Sequence, residues 1–143
     1  MSAAVAHVDL EAIGSNIRAL AALAPQSKFM LAVKSNAYGH GLHEVVRTGL
    51  DSGVDSFGVL EANAGIELRE SGVEVPLFAW MHGQGTDFAA AAEARVDLGV
   101  QTFWQLEAIA ASDARVRPRV HLKIDTGLHR GGADRRRWAE FRS

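Results

Sequence analysis

Short apolar runs alternate with segments of helical periodicity along the chain. The apolar runs predict strands at residues 29–33, 56–60, 76–80, 98–102 and 119–125. Between and after them, apolar residues recur every three or four positions and predict helices at 61–70, 88–95, 104–111 and 133–141. Short strands that alternate regularly with helices predict an α/β fold with a parallel sheet.

Two further helices are predicted in the first third of the chain. The first has a row of apolar residues at helical spacing, namely Leu10, Ile13, Ile17 and Leu20. Asp9 precedes this row and is placed to cap the first turn. The second row comprises His43, Val46 and Leu50. Gly53 is expected to end that helix.

Two architectures fit this order of elements: an open doubly wound sheet and part of an eight-fold βα barrel. A complete barrel needs roughly 250 residues, so the 143 residues present favour the open sheet on length alone. No linker or shift in composition interrupts the pattern, which indicates one domain over residues 1–143.

Composition narrows the function classes. The hydrophobic content of 48% allows one modest core, and a net charge of -2 gives no general attraction for nucleic acid or an acidic membrane surface. Arg135, Arg136 and Arg137 precede Trp138 and Phe141 at helical spacing, which favours a solvated helix face over an RNA-binding segment. Cysteine is absent, so neither disulfides nor a thiolate metal site is expected.

The sequence shows no basic segment followed by a long apolar one near its start, and no apolar run long enough to cross a bilayer. We therefore expect a cytoplasmic protein.

Candidate chemistry is concentrated at residues 31–41. Lys34 ends the first strand, where burial would disfavour its charged form and make a free amine available. Tyr38 and a glycine-rich turn follow, a combination that suits a Schiff base to an aldehyde cofactor carrying a phosphate. The alternative is that Lys34 is simply the first solvated residue after a strand.

Residues 34–41, Lys-Ser-Asn-Ala-Tyr-Gly-His-Gly, resemble the pyridoxal-phosphate signature of bacterial alanine racemases, with Ser35 where alanine is usual. Residues 120–130, Val-His-Leu-Lys-Ile-Asp-Thr-Gly-Leu-His-Arg, resemble a second signature of that family. The opening from His7 to Ile17 is similar to the family's first strand and helix. The resemblance therefore covers nearly the whole chain, in the family's order.

The resemblance reverses the choice of architecture. It implies the first five or so βα units of a (β/α)8 TIM-type barrel, with the family's C-terminal β domain absent from residues 1–143. The sequence ends at Arg142 and Ser143, inside a predicted helix, so we expect an N-terminal fragment. Open strand edges and missing active-site groups predict that this chain alone is poorly soluble or oligomeric and inactive.

The resemblance also implies roles for individual residues. Lys34 would form the Schiff base with pyridoxal phosphate and exchange the α-proton on one face of the substrate, and Tyr38 would bind the cofactor phosphate. Arg130 would contact the substrate carboxylate, although Leu128 and His129 depart from the usual pattern before it. His40 is interpreted as structural.

Lys123 matches a lysine that is carbamylated in many members of the family. Alternation along the fifth strand puts His121, Lys123 and Asp125 on one side, so Lys123 would be buried if that side faces a barrel interior. An unpaired buried ammonium is costly. Carbamylation would convert it to an anion able to hold Arg130, and the alternative is an ion pair with Asp125 or another carboxylate.

The implied activity is racemisation of L- and D-alanine with pyridoxal 5'-phosphate, which supplies D-alanine for peptidoglycan. The family works as a homodimer in which a tyrosine of the partner subunit is the second acid/base. The alternatives are a single-barrel protein of pyridoxal-phosphate homeostasis, a D-amino-acid aldolase or dehydratase, and a decayed fragment. No metal, nucleic acid or membrane partner is expected.

Overall fold

The computed structural model describes residues 4–142 and consists of alternating strands and helices. The strands are β1 (Met30–Ala32), β2 (Ser56–Val59), β3 (Leu77–Ala79), β4 (Val96–Val100) and β5 (Val120–Leu122). The helical segments are α1 (Leu10–Ala22), α2 (Lys34–Gly39), α3 (Leu42–Asp51), α4 (Ala62–Glu70), α5 (Phe88–Glu93), α6 (Phe103–Ala110) and α7 (Trp138–Phe141). The predicted α/β class is confirmed.

The five strands form one sheet in the order β1-β2-β3-β4-β5, so each strand follows its predecessor along the sheet as well as along the chain. The pairs β3–β4 and β4–β5 are parallel, with Leu77 opposite Val96 and Leu98 opposite Val120. The chain divides into two compact units, residues 1–57 and 58–143.

In the first unit, α1 begins where the sequence predicts, because the Asp9 carboxylate accepts a hydrogen bond of 2.9 Å from the Ala12 N–H. The buried face of α3 differs from the predicted one. His43 and Leu50 are exposed, whereas α3 buries Val45, Val46 and Gly49. The sequence pattern missed Gly49 because its contribution to packing is the absence of a side chain.

Gly49→Ala is expected to destabilise the first unit by about 1–3 kcal/mol. A Cβ at this position would lie 2.9 Å from Cε1 of Phe57, a side chain with no exposed surface, and 3.2 Å from Leu31. Elsewhere in helices, glycine to alanine stabilises by up to about 1 kcal/mol. Urea unfolding measures the change.

Gly14→Ala in α1 is the control, because the nearest atoms to its Cβ would be the Ser52 hydroxyl oxygen and an Arg18 guanidinium nitrogen, which can move. If both alanine variants were equally stable, Gly49 would have no special packing role.

In the second unit, β3 and β4 bury one apolar face, which includes Leu77, Ala79, Val96, Leu98 and Val100. The opposite face carries both polar and aromatic side chains: His121 Nε2 lies 3.0 Å from the Asp97 carboxylate, and the His121 ring packs edge-on against Phe78 at 5.0 Å. The predicted start of β4 at residue 98 is two residues late. Asp97 interrupts the apolar run without interrupting the strand, because its side chain lies on this second face.

The predicted helix over 133–141 is mostly wrong. Ala133 instead forms a parallel bridge with Ile124, and residues 135–137 form a single 3-10 turn before the short α7. Phe141 is fully buried and packs edge-on against Phe103 at 5.1 Å, so it anchors the end of the described chain. Ser143, part of the predicted ending, lies outside the described residues.

Candidate functional site

Lys34 begins a left-handed turn two residues after β1. The φ angles of the next four residues, Ser35 to Tyr38, all lie between 51° and 56°. Left-handed conformations cost L-residues about 1–2 kcal/mol each, and strain of this kind clusters at functional sites. The turn that follows Lys34 is therefore compact and strained, and the strained residues carry side chains.

Side chains and backbone of the turn itself hold it in place. Ala37 is buried, and its carbonyl lies 2.8 Å from Nδ1 of His40, which agrees with a structural role for that histidine. The Asn36 side-chain oxygen accepts a hydrogen bond of 2.7 Å from the Leu42 N–H and so caps α3. Asn36 was missed by the sequence analysis, although asparagine is among the residues that tolerate a left-handed backbone.

Lys34 and Tyr38 lie on the same side of this turn. The Lys34 Nζ is 5.6 Å from the centroid of the Tyr38 ring, Lys34 is half-buried, and Tyr38 is 58% exposed. A Cβ at Gly39 would meet no atom within 4 Å, so the space beside the turn is open. An amine and a phenol accessible from one side fit an aldehyde cofactor that carries a phosphate.

Lys123 lies at the end of β5, and its backbone is firmly held. Its N–H donates to Val100 and its carbonyl accepts from the Ala133 N–H, both at 2.8 Å. The side chain is exposed, so the expectation of a buried lysine is wrong for this chain. Within residues 4–142, Lys123 forms no direct ion pair with Asp125, although its charge contributes to lowering the pKa of that carboxyl.

The Asp125 carboxylate organises the loop that follows β5. It accepts hydrogen bonds from the Gly127 N–H at 2.8 Å and the His129 N–H at 3.1 Å. These two hydrogen bonds hold the pKa of Asp125 below its usual range, so it stays ionised at neutral pH. Asp125 is therefore the anchor of the loop that carries Arg130.

Arg130 is exposed and makes no hydrogen bond or ion pair with any residue in the range 4–142. Neighbouring arginines differ: Arg136 binds Asp134 at 2.9 Å and Arg137 binds Glu140 at 2.8 Å. The Arg136 side chain, followed by its backbone N–H, lowers the pKa of Asp134 to about 2. Arg130 is therefore available to an external carboxylate while these two neighbours are already paired.

A cleft of about 360 Å³ opens beside this loop, and Asp125, Thr126, His129 and Asp134 are among its lining residues.

Three polar residues near the ends of β3 and β4 were missed by the sequence analysis. Gln101 Nε2 donates to the Trp80 carbonyl at 2.6 Å, so Trp80 contributes its backbone to this contact. Gln105 is 5% exposed and donates to the His82 carbonyl at 3.2 Å. His82 is 6% exposed and packs edge-on against Phe88. Amides inside a helical pattern give no signal of such contacts.

Burial lowers the pKa of His82 below its usual 6.5. Neither ring nitrogen makes a well-formed hydrogen bond among the described residues, and the nearby backbone of Ala79 and Gly99 only partly opposes the effect of burial on this pKa. The unfolded state consequently binds a proton at a higher pH than the folded state.

We therefore expect the neutral His82 side chain to contribute its full stability above about pH 6.5. This contribution should be lost as the pH falls below that value, because protonation then favours the unfolded state. Urea unfolding at about pH 7.5 and about pH 5 measures the loss, and His82→Leu should reduce it. His7→Leu, at an exposed histidine, is the control. An equal acid loss in His82→Leu and the unsubstituted chain would contradict this role.

Two kinds of site receive no support. In the described part of the chain, no group of three or more His, Cys, Asp or Glu side chains is arranged to hold a metal ion. None of the helices in residues 4–142 is both long and apolar enough to cross a bilayer.

Comparison with known proteins gives one family. The sequence model of the alanine racemase N-terminal domain matches residues 8–143. The chain is 42% identical to an alanine racemase of Mycolicibacterium smegmatis over 134 residues, which are 92% of this chain and 34% of that protein. It is 37% identical to the Thermobifida fusca alanine racemase over 140 residues, covering 96% of this chain and 37% of the relative.

Solved structures agree. The alanine racemase of D-cycloserine-producing Streptomyces lavendulae superposes with a TM-score of 0.88 and 38% identity, covering 93% of this chain and 35% of that one. The Corynebacterium glutamicum alanine racemase superposes with a TM-score of 0.87 and 36% identity, covering 94% of this chain and 39% of that one. This chain thus spans about a third of its curated relatives and has the fold of part of their barrel, as the resemblance implied. The chain belongs to the alanine racemase family.

Proposed function

We propose that this chain is the part of an alanine racemase that carries the catalytic lysine, and that the whole enzyme interconverts L- and D-alanine with pyridoxal 5'-phosphate. The observation that carries the proposal is the strained turn on which Lys34 and Tyr38 stand 5.6 Å apart from amine to ring centre. We take residues 1–143 as the N-terminal part of the barrel domain.

Lys34 has two tasks in this function. Its Nζ would hold the cofactor covalently, and as a free amine the same nitrogen would accept or return the α-proton on one face of the substrate. Tyr38, four residues on, offers its hydroxyl to the cofactor phosphate. When bound, pyridoxal phosphate delocalises the electron pair left by the broken C–H bond.

Arg130 binds the substrate carboxylate through its planar guanidinium, which matches two oxygens at once. Lys123 is proposed to steer Arg130 as a carbamate, which would replace its positive charge with a negative one. The exposed Lys123 side chain is accessible to bicarbonate. A carbamate signal in carbon-13 NMR of the folded chimera under labelled bicarbonate, absent from Lys123→Arg, checks this step.

Inversion also needs an acid/base on the opposite face of the substrate. Tyr38 is the only tyrosine in the sequence, so a second tyrosine has to come from outside residues 1–143. We place it on a partner subunit in a homodimer, in the cytoplasm, where D-alanine is used for peptidoglycan. The alternative of a single-barrel homeostasis protein is not favoured, because the relatives compared above are alanine racemases.

The test uses a chimeric protein in which residues 1–143 replace the matching third of the Mycolicibacterium smegmatis enzyme. We expect the chimera to interconvert L- and D-alanine and the 143-residue chain alone to show no measurable turnover and to be oligomeric or poorly soluble. A folded chimera that binds pyridoxal phosphate without racemising alanine would contradict the proposed function. A monomeric, active 143-residue chain would contradict the dependence on further residues.

A further inference from the structure

Gln101 connects three parts of the second unit at the end of β4. Its side-chain N–H donates to the Trp80 carbonyl beyond β3 at 2.6 Å. Its backbone N–H donates to the Gln105 side-chain oxygen of α6 at 2.8 Å, and Gln105 in turn donates to the carbonyl of His82. The buried Gln105 therefore fixes the backbone of Gln101, and the hydrogen bond to Trp80 fixes the direction of its side chain.

The remaining polar atom of Gln101 points to the Arg130 loop. Its Oε1 lies against Gly131, the residue directly after Arg130, and a Cβ built on Gly131 would overlap that oxygen. The φ angle of Gly131 is 97°, and that of His129 is 57°, so left-handed residues flank Arg130 on both sides. The backbone on either side of Arg130 is therefore sharply bent, and a small displacement there would redirect its side chain.

Other contacts hold the base of the same loop and the residue before Arg130, whereas Gln101 contacts the residue after it. Asp125 fixes the N–H groups of Gly127 and His129, and the bridge between Ile124 and Ala133 closes the loop. Arg130 has no side-chain partner among residues 4–142, so its direction depends on its backbone.

We propose that Gln101 is a positioning residue that holds Gly131 and thereby aims Arg130 at the substrate carboxylate. This inference rests on the proposed function for the role of Arg130. The contact between Gln101 and Gly131 is a separate claim, so each can fail without the other. Asparagine is one methylene too short to reach both Trp80 and Gly131, whereas glutamine spans them.

The first measurement needs no activity. In the folded chimera, Gln101→Ala should speed hydrogen exchange at the Ala133 amide, which donates to Lys123 at 2.8 Å. Exchange at the Gly127 amide, held by Asp125, should not change. Gln84→Ala, at an exposed glutamine of another loop, is the control. If the Ala133 amide exchanged at the same rate in the unsubstituted protein, Gln101→Ala and Gln84→Ala, the proposed contact between Gln101 and Gly131 would be contradicted.

The second measurement uses the chimera described above. Gln101→Ala and Gln101→Asn should raise the KM for alanine about tenfold, with a smaller change in kcat, because a misdirected Arg130 weakens binding of the carboxylate. Labelling of Lys34 by the cofactor should be unchanged, which separates positioning from loss of structure. Unchanged kinetics, or an equal loss of Lys34 labelling, would overturn the proposal.

A double-mutant cycle tests the pair directly. Gly131→Ala should lower kcat/KM much less when Gln101 is already alanine, because the overlapping oxygen is then gone, while backbone strain at residue 131 is common to both backgrounds and cancels. Additive effects would overturn the proposal. An unsubstituted chimera without racemase activity would contradict the proposed function instead, and the exchange experiment would still decide the contact.

Discussion

Replacing Lys34 by arginine is expected to abolish covalent attachment of pyridoxal phosphate to this chain. Arginine keeps the positive charge and the length of the side chain but has no free amine at neutral pH, so it cannot form the bond. Borohydride reduction followed by peptide mapping measures attachment, and the sequence has only three lysines to distinguish: Lys28, Lys34 and Lys123.

The matched control is Lys28→Arg, at an exposed lysine 2.7 Å from Asp55. It should retain full labelling of Lys34 and full activity in the chimera, whereas Lys34→Arg should lose both. Recovery of the reduced cofactor on Lys28 or Lys123 in the unsubstituted protein would show that Lys34 is not the attachment site.

Arg130→Lys is expected to lower kcat/KM of the chimera about 10- to 100-fold. Lysine retains the charge but loses the planar pair of donors, and one charge-assisted hydrogen bond is worth about 1.5–3 kcal/mol. Attachment of the cofactor to Lys34 should survive. In this variant, steady-state kinetics should therefore show a loss while peptide mapping shows unchanged labelling of Lys34.

The same substitution at Arg136 is a close control, because that guanidinium lies in the same region but is paired with Asp134 at 2.9 Å. We expect Arg136→Lys to change kcat/KM little. Equal losses at positions 130 and 136 would mean that the loss is not specific to the guanidinium of Arg130, and unchanged kinetics in Arg130→Lys would remove Arg130 from the site.

Periodicity was sufficient for the order and approximate limits of most elements. The α4 helix ends at Glu70 as predicted, and β2 starts at Ser56 as predicted, because apolar residues there recur without interruption. The predicted strand limits and buried faces were wrong where a residue's place in the fold does not follow from its hydrophobicity. Asp97 belongs to a strand although it is charged, and Gly49 belongs to a buried face although it has no side chain.

The candidate site was only partly predictable for a related reason. Lys34, Tyr38 and Arg130 are chemically distinctive and lie in recognisable strings, so they could be named. Gln101 and Gln105 act through hydrogen bonds to backbone carbonyls at sequence separations of 21 and 23 residues. Such pairings depend on which strand ends are neighbours, and a single sequence does not contain that information.

The turn after Lys34 is locally a short piece of mirror-image helix. Glycine would adopt this handedness without a steric penalty, yet four L-residues with side chains occupy it. Three of those side chains have a use: Asn36 caps α3, Ala37 fills the core, and Tyr38 presents a phenol. The fourth, Ser35, is exposed, so a D-serine introduced there by chemical synthesis would suit the backbone better than the natural enantiomer. A protein proposed to invert alanine would then itself hold one residue of inverted chirality at no steric cost.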